Sequence, residues 1–264
     1  MRLNIPTELR LSDVYENNPF TLFEMENFFD QEIYESLRDE FPDRSYFTKC
    51  YNYNEGGKLC LDNKNPLFFE FIEQSKTWKL LYETFNSETT VKKFFNLFLP
   101  DLKKIPQRKN IKNIKLIKQW NLDYKSKIYK RILKFTRTRS VKVLFEFSRM
   151  RNNCFIPPHS ETKDKICALL IYFPDKNVSE FDKNRLGTNF YKRSKDNLDI
   201  WDSEILGEYE MKNFYKNYKK FYSAKFTENK LAGLIKSDNS WHDVSKSDNL
   251  EEDRKSFNIF FFLA

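Results

Sequence analysis

The sequence predicts an α+β protein in which a mainly helical first half packs against an antiparallel sandwich or barrel of the jelly-roll type. Two observations predict this fold. Over 33–41 and 67–99, apolar residues recur at three- and four-residue steps, which is the period of a helix. From residue 140 the chain changes to short runs rich in branched and aromatic residues, with turn signals and no helices between them. We therefore expect a single domain over 1–264, with a support region over 1–139 and a core over 140–264.

The helical half begins with an extended stretch and continues in helices that proline residues end. The segment FTLFEMENFF (20–29) predicts a strand, and Asp30 is a suitable N-cap for an amphipathic helix that stops at Pro42. Two or three further helices are expected over 66–100, each with an apolar stripe that packs against the sheet. After Leu102 we expect a loop and then an irregular or helical connection.

The second half contains five strand candidates. Each is a short run of β-branched and aromatic residues bounded by turn-forming residues. The candidates are VKVLFEFSRM (141–150), ICALLIYF (166–173), GTNFY (187–191), KLAGLI (230–235) and SFNIFFFLA (256–264).

Composition places the chain among folded intracellular proteins. Hydrophobic residues make up 40% of it and phenylalanine alone numbers 27, which is enough for a buried core. The four cysteines show no CxxC spacing, so free thiols in a reducing cytoplasm are expected. No signal-like start and no apolar run of about 18 residues is present, so neither export nor a membrane span is predicted.

The net charge of +8 is concentrated in the segment 103–142, where fifteen lysines and arginines face only Asp123. Two interpretations remain open. The segment is a solvated lysine-rich face, or it attracts phosphate groups, which would make nucleic acid a substrate. The nearby rings of Trp120, Tyr124 and Tyr129 suit a core as well as a stacking platform, and no nucleic-acid-binding motif accompanies them.

The chain has two histidines, and each lies in a context typical of a metal ligand. His159 and Glu161 are two residues apart in PPHSE, so on an extended strand both side chains point to one face. His242 follows in SWHD, and Arg254 and Ser256 form a second same-face pair. Two imidazoles and one carboxylate form a facial triad that suits iron, although zinc accepts the same ligands. Arg254 favours iron, because a buried guanidinium binds the far end of a dicarboxylate cosubstrate.

These motifs, in this order, resemble the Fe(II)/2-oxoglutarate-dependent dioxygenase superfamily, in the branch related to prolyl hydroxylases. The resemblance covers the second half well and extends more loosely to PFTLFEMENFFDQEIYESLRDEFP (19–42). It implies a double-stranded β-helix (jelly-roll, cupin-like) core with an N-terminal helical region packed on the sheet. It also implies that His159, Glu161 and His242 hold the iron. The family's usual carboxylate is aspartate, and Glu161 is one methylene longer.

The resemblance further implies a binding site for 2-oxoglutarate. Arg254 is expected to pair with its remote carboxylate, Ser256 to hydrogen-bond beside it, Tyr172 to reach the same carboxylate, and Arg149 to line the pocket. The implied activity is hydroxylation of a C–H bond in a small-molecule or peptidyl substrate, with dioxygen consumed and succinate and CO2 released.

Two alternatives stay open at this point. One is a metal-binding jelly-roll protein without oxygenase activity, acting as a sensor or an interaction module. The other is an oxygenase that acts on nucleic acid. The sequence specifies neither the primary substrate nor the oligomeric state.

Overall fold

The computed structural model describes residues 14–15, 20–51, 57–118, 131, 135–151, 153–176, 178–194, 206, 208–246 and 253–264. Most of the central part of the basic segment, with Trp120, Tyr124 and Tyr129, lies outside these residues. Across the described ranges, every helix is too short or too polar to cross a bilayer.

The helices lie mainly in the first half of the chain. The described residues form a 3-10 turn at Arg44–Tyr46 and the helices α1 (Gln31–Asp39), α2 (Pro66–Gln74), α3 (Lys76–Phe85), α4 (Glu88–Leu102), α5 (Glu180–Arg185) and α6 (Glu208–Asn217).

The strands are more numerous and extend over the whole chain. They are β1 (Val14–Tyr15), β2 (Leu22–Met25), β3 (Thr48–Tyr51), β4 (Lys58–Asp62), β5 (Asn113–Leu116), β6 (Thr138–Met150), β7 (Ile156–His159), β8 (Lys165–Tyr172), β9 (Thr188–Arg193), β10 (Tyr218–Ala224), β11 (Leu231–Ile235), β12 (His242–Val244) and β13 (Arg254–Leu263). The five strands predicted from the second half are confirmed as β6, β8, β9, β11 and β13, but the expectation of no helices between them is wrong, because α5 and α6 lie there.

Local sequence explains where the helices begin and end. The side chains of Asn65, Ser75 and Ser87 accept hydrogen bonds from the first turns of α2, α3 and α4, as N-caps do. Asp30 precedes α1 as predicted, but its side chain makes no capping hydrogen bond. The prediction that Pro100 ends the last helix of this region is wrong, because α4 continues to Leu102. A proline so close to the helix end removes only one N–H from the last turn.

The strands form two sheets, and all pairings in them are antiparallel except that of β5 with β6. The large sheet has the order β1-β2-β11-β8-β13-β6-β4-β3, and the small sheet has the order β10-β9-β12-β7. From β6 onward the chain passes repeatedly between the sheets, with β6, β8, β11 and β13 in the large one and β7, β9, β10 and β12 in the small one.

Two apolar clusters hold the layers together. The larger one joins the helices to one face of the large sheet, with Trp78 in contact with the rings of Phe147 and Phe257. The second joins the other face of the large sheet to the small sheet, with Phe190 and Phe260 among its members. The molecule is therefore an α+β structure of helices, large sheet and small sheet.

The first half contains more strand than the sequence predicted. β3 and β4 extend the large sheet, and β5 pairs in parallel with the start of β6, with Leu116 opposite Val141. The expectation of a loop and an irregular or helical connection after Leu102 is therefore wrong for β5. Ile114 and Leu116 are buried on either side of Lys115, a short alternation that the surrounding lysines conceal.

The prediction of four free cysteines is wrong for Cys60, which is disulfide-bonded. Cys154 and Cys167 are free and buried. The expectation of a cytoplasmic location depended partly on free thiols, and the Cys60 disulfide removes part of that support.

Candidate metal centre and anion pocket

The two histidines meet because they are cross-strand partners. His159 ends β7, His242 begins β12, and the two residues lie opposite each other in the antiparallel pair. Side chains at opposite positions of such a pair point to the same side of the sheet. The two ring centroids are consequently 4.1 Å apart, although 83 positions separate the residues in the chain.

Both imidazoles are held in the orientation that metal binding requires. The Nδ1 atom of His159 lies 2.9 Å from the Pro157 carbonyl oxygen, and that of His242 lies 2.9 Å from the Ser240 carbonyl oxygen. A carbonyl only accepts hydrogen bonds, so each Nδ1 carries a proton and each Nε2 is directed at the site. Burial, aided by the neighbouring His242, lowers the pKa of His159 to about 3, which keeps this ring neutral.

Glu161 completes the group from a turn instead of from a strand. It follows the end of β7 with a φ of 69°, in the left-handed region, so the argument that it shares a strand face with His159 is wrong. Its Oε1 lies 3.5 Å from Nε2 of His242, and its Oε2 lies 4.0 Å from Nε2 of His159. The ligand atoms of all three residues lie within 4.8 Å of one another.

These donors fit a divalent transition-metal ion. Bonds of about 2.1 Å at right angles place neighbouring ligand atoms roughly 3 Å apart, so small side-chain rotations bring the present distances into range. Two imidazole nitrogens and one carboxylate on one side of an ion match the facial triad of non-haem iron sites.

Lys165, at the start of β8, forms an ion pair with Glu161. Its Nζ lies 2.5 Å from Oε2 of Glu161, and both side chains are buried. Burial opposes ionisation of this carboxyl, but the Lys165 ammonium outweighs it and holds the pKa of Glu161 well below its usual value. The carboxylate is therefore charged and ready to bind a cation.

The predicted anion-binding residue Arg254 lies at the start of β13 and is buried. Its Nε donates to the Leu186 carbonyl oxygen at 2.5 Å, and Nη1 lies 3.6 Å from the sulfur of Met150. Among the described residues, no carboxylate lies within ion-pair distance of it. A buried cation without a counter-ion is costly, and a bound anion removes that cost.

Two other predicted residues lie beside this guanidinium. Ser256 is two residues along β13 and faces the same cavity as Arg254. The ring of Tyr172 lies 5.2 Å from the guanidinium carbon, and its hydroxyl is 2.7 Å from Oγ1 of Thr188, which also lines the cavity. The structure thus brings Arg254, Ser256 and Tyr172 together.

The structure does not bring Arg149 to this pocket. Its guanidinium lies on the opposite face of the large sheet, where it contacts the Pro42 carbonyl oxygen at 2.8 Å and Asp253 at 3.3 Å. It also packs over the rings of Phe41 and Phe47. In the register of β6 with β13, Arg149 is opposite Lys255, and strand alternation directs both away from Arg254.

A cavity of about 330 Å³ joins the metal centre to the anion pocket. Its volume lies within the usual range of small-molecule sites. It is lined by the triad, Arg254, Ser256, Lys165 and further residues of both sheets, among them Lys58, Glu146, Ser148 and Asn258.

We call Lys58, Glu146, Ser148 and Asn258 the polar wall. Lys58 Nζ and Asn258 Nδ2 both donate to Oε1 of Glu146, at 2.6 and 2.9 Å. Within the described residues, Oγ of Ser148 and Oδ1 of Asn258 have no hydrogen-bond partner. The wall therefore offers polar atoms to a further ligand in the same cavity.

Sequence reasoning missed three supporting residues. Lys165 follows Glu161 by four positions, and Ser240 precedes His242 by two, so their proximity in sequence was the available signal. Ser240 is fully buried, and its hydroxyl oxygen lies 2.8 Å from the Ser237 carbonyl oxygen and 3.1 Å from that of Ser160, so it is in contact with both ligand loops.

Arg108, the third, belongs to the basic segment and gave no such signal. Its buried guanidinium donates to the carbonyl oxygens of Lys165 at 2.6 Å, Lys236 at 2.8 Å and Lys163 at 3.3 Å. This part of the basic segment is therefore internal structure and not a solvated face.

Comparison with known proteins gives matches in structure only. No protein-family model matches the chain, and no curated protein matches it. Its structure is similar to that of a Pseudomonas putida prolyl-4-hydroxylase, with a TM-score of 0.48, 9% identity, and coverage of 97% of this chain and 99% of that one.

Two further solved structures are similar. One is HygX from Streptomyces hygroscopicus with nickel, 2-oxoglutarate and hygromycin B bound, with a TM-score of 0.45, 9% identity, and coverage of 93% and 84% of the two chains. The other is a Burkholderia pseudomallei oxidoreductase of the 2OG-Fe(II) oxygenase family, with a TM-score of 0.42, 9% identity, and coverage of 91% and 84%.

Proposed function

We propose that this chain is a non-haem Fe(II)- and 2-oxoglutarate-dependent oxygenase. The observation that carries the proposal is one cavity that contains two kinds of site. At one place two imidazoles and a carboxylate converge, and at another a buried guanidinium has no carboxylate partner among the described residues. A hydrolytic zinc site does not require the second feature, whereas a dicarboxylate cosubstrate does.

Each residue has a defined task in this proposal. His159, Glu161 and His242 hold the iron through Nε2, a carboxylate oxygen and Nε2. Arg254 binds the remote carboxylate of 2-oxoglutarate by charge-assisted hydrogen bonds, and Ser256 donates a hydrogen bond beside it. Tyr172 and Thr188 together close that end of the pocket. When bound, iron with 2-oxoglutarate and dioxygen supplies an oxidant for a C–H bond, and succinate and CO2 are released.

The protein contributes orientation and a dry environment. The carbonyl oxygens of Pro157 and Ser240 fix both imidazole tautomers before metal binds, so little reorganisation is needed. Burial of Glu161, His242 and Arg254 removes competing water, which strengthens the interaction of charged groups with the cosubstrate.

We also propose that β6 to β13 form a double-stranded β-helix and that the whole chain is one oxygenase domain. The alternation of these strands between the two sheets supports this assignment. The contacts of Arg108 with the ligand loops support a single unit, because they join the first half of the chain to the second.

The polar wall supports a small polar substrate, with a peptidyl side chain as the alternative. The unpartnered oxygens of Ser148 and Asn258 and the shared carboxylate of Glu146 suit a molecule that carries O–H or N–H donors. A buried acceptor without a donor costs about 1–3 kcal/mol, which such a substrate recovers on binding. For any compound that stimulates succinate release, Asn258→Leu should weaken the apparent affinity for that compound more than the apparent affinity for the cosubstrate.

The deciding experiment adds Fe(II) and 2-oxoglutarate to the protein without oxygen and then admits air. A weak visible charge-transfer band, followed by succinate release with pooled metabolites and peptides, is expected. His159→Ala should abolish both signals. A colourless mixture that forms no succinate in air would instead support a metal-binding protein without oxygenase activity.

A further inference from the structure

The ammonium group of Lys165 is enclosed on two sides. Its Nζ lies 2.5 Å from Oε2 of Glu161 and 3.8 Å from the centroid of the Phe260 ring, with the Phe262 ring at 5.5 Å. A cation above an aromatic face is attracted to it, and more strongly where water is excluded. The ammonium is thus held against one oxygen of a proposed metal ligand.

Both oxygens of that carboxylate are directed at the metal centre. Oε1 lies 3.5 Å from Nε2 of His242, and Oε2 lies 4.0 Å from Nε2 of His159. Carboxylates bind metal ions through one oxygen or through both. Without a competing partner, Glu161 has both oxygens available to a single ion.

The number of oxygens bound determines what else the ion accepts. Two nitrogens and one oxygen leave three of six positions open, which is what a chelating cosubstrate and dioxygen require. A second carboxylate oxygen would occupy one of the three. The partner of Oε2 therefore bears directly on cosubstrate binding.

We propose that Lys165 is a positioning residue that makes Glu161 a one-oxygen ligand and so keeps the third coordination position open. The inference rests on the proposed function, and it extends that function to a residue that acts through Glu161. Lys165 occupies Oε2, and Oε1 alone remains for the metal.

The backbone around Lys165 is fixed in a way that supports this task. Arg108 donates hydrogen bonds to the carbonyl oxygens of Lys163 and Lys165. These hydrogen bonds hold the end of the turn that contains Glu161. Glu161 itself has the left-handed φ of 69°, a conformation that costs energy for a residue other than glycine and that recurs at functional sites. The ion pair with Lys165 and the backbone conformation together set the direction of the Glu161 carboxylate.

Removal of the ammonium should change two affinities in opposite directions. In Lys165→Met, a positive charge leaves the vicinity of the metal and Oε2 becomes a second ligand, so metal should bind about tenfold more tightly. The lost open position should weaken 2-oxoglutarate binding by about tenfold. A lysine that served only to stabilise the fold would weaken both or neither.

The test uses the full chain without oxygen. Fe(II) affinity is measured by titration calorimetry in the absence of cosubstrate, and 2-oxoglutarate affinity is measured from the visible band at saturating Fe(II). Lys165→Arg, which keeps a cation beside Oε2, should retain the wild-type values. The matched control is Lys255→Met, which removes a different partly buried lysine ion pair, 2.8 Å from Asp175 and outside the cavity, and should change neither affinity.

Parallel loss of both affinities in Lys165→Met, or no change in either, would overturn the inference. If that variant does not fold, Phe260→Leu removes the aromatic face beneath the ammonium and should shift both affinities in the same opposite directions, by a smaller factor. Failure of the proposed function looks different, because the wild-type protein itself would then give no visible band.

Discussion

The two faces of the large sheet differ in chemistry although the same strands build both. On β6 and β13, Phe145, Phe147, Phe257 and Ile259 point towards the helices and belong to the larger apolar cluster. The residues that alternate with them along the two strands, Glu146, Ser148, Ser256 and Asn258, face the cavity. Alternation along a strand therefore separates the residues that hold the fold from those that perform chemistry.

This division teaches where substitutions should act. Changes on the helix-facing side should reduce the free energy of unfolding and affect the site only through unfolding. Changes on the cavity side should affect ligand binding and leave stability close to its original value. The predictions below test that separation, beginning with the largest expected effect.

The helix-facing side should be most sensitive at Phe147. Its fully buried ring contacts those of Phe41, Phe71, Trp78 and Phe257, so Phe147→Ala removes buried apolar area and leaves a cavity. We expect a loss of about 3–5 kcal/mol in the free energy of unfolding, measured by urea denaturation.

The matched control for this prediction is Phe69→Ala, since Phe69 is 43% exposed. It should cost much less than Phe147→Ala. Equal losses in the two variants would contradict the assignment of the helix-facing core.

The cavity side should be most sensitive at Arg254. Arg254→Met removes the cation proposed to pair with the remote carboxylate, and 2-oxoglutarate affinity should fall about a hundredfold, which corresponds to about 2.7 kcal/mol. Stability should change by less than about 1 kcal/mol, because the loss of an unpaired buried charge offsets the lost contacts. The measurements are the visible-band titration and urea denaturation.

Arg149→Met provides the opposite control on a neighbouring strand. It removes contacts with Pro42 and Asp253 on the helix-facing side, so it should lower stability and leave 2-oxoglutarate affinity unchanged. A fall in cosubstrate affinity equal to that of Arg254→Met would show that Arg149 belongs to the 2-oxoglutarate site.

The metal-free protein should lose stability in mild acid because of His159. The pKa of His159 is about 3 in the folded chain and about 6.5 when unfolded, so below pH 6.5 the unfolded chain binds a proton that the folded chain excludes. The free energy of unfolding should fall by up to about 1.4 kcal/mol per pH unit between pH 6.5 and 5. The pKa of Glu161 is lowered in the folded chain, so protonation of this residue reduces the free energy of unfolding further only below about pH 4.5.

Thermal melts in chelator across this pH range test the prediction. His159→Asn cannot be protonated there, so its melting temperature should depend less on pH between 6.5 and 5. An identical dependence in the variant would show that a different group is responsible.

The smallest effect is expected at Tyr172. Its hydroxyl bonds to Thr188, and its ring lies beside the Arg254 guanidinium, so Tyr172→Phe retains the ring and loses one hydrogen bond. The visible-band titration should show cosubstrate affinity reduced by a few-fold, in keeping with a net hydrogen-bond energy of about 0.5–1.5 kcal/mol. A change as large as that of Arg254→Met would mean that Tyr172 binds the carboxylate directly.

Much of the second half of the fold could be predicted from sequence, because its strands are short runs of β-branched and aromatic residues bounded by turn-forming residues. The convergence of His159, Glu161 and His242 was predicted from motif order, yet part of the geometric reason was wrong. Glu161 reaches the centre from a left-handed turn and not from a strand face. Residue types identified the ligands, and local conformation could not be read from spacing.

The residues that sequence reasoning misplaced or missed depend on strand register and on long-range contacts. Whether Arg149 points to the cavity depends on its pairing with Lys255, and a shift of one position reverses the answer. β5 was missed because only two buried residues alternate within it. The contacts of Lys165 with Phe260 and Arg108 join distant parts of the chain, so no local sequence pattern predicts them.

Arg108 has a consequence for the independence of the two halves. It lies between α4 and β5, whereas the carbonyl groups that accept its hydrogen bonds belong to the segments next to Glu161 and after β11. A fragment cut at residue 140 would contain every proposed iron ligand and the arginine for the cosubstrate, but not the cation that draws those segments together. The helical region is thus expected to act as a folding partner of the oxygenase core and not as a detachable module.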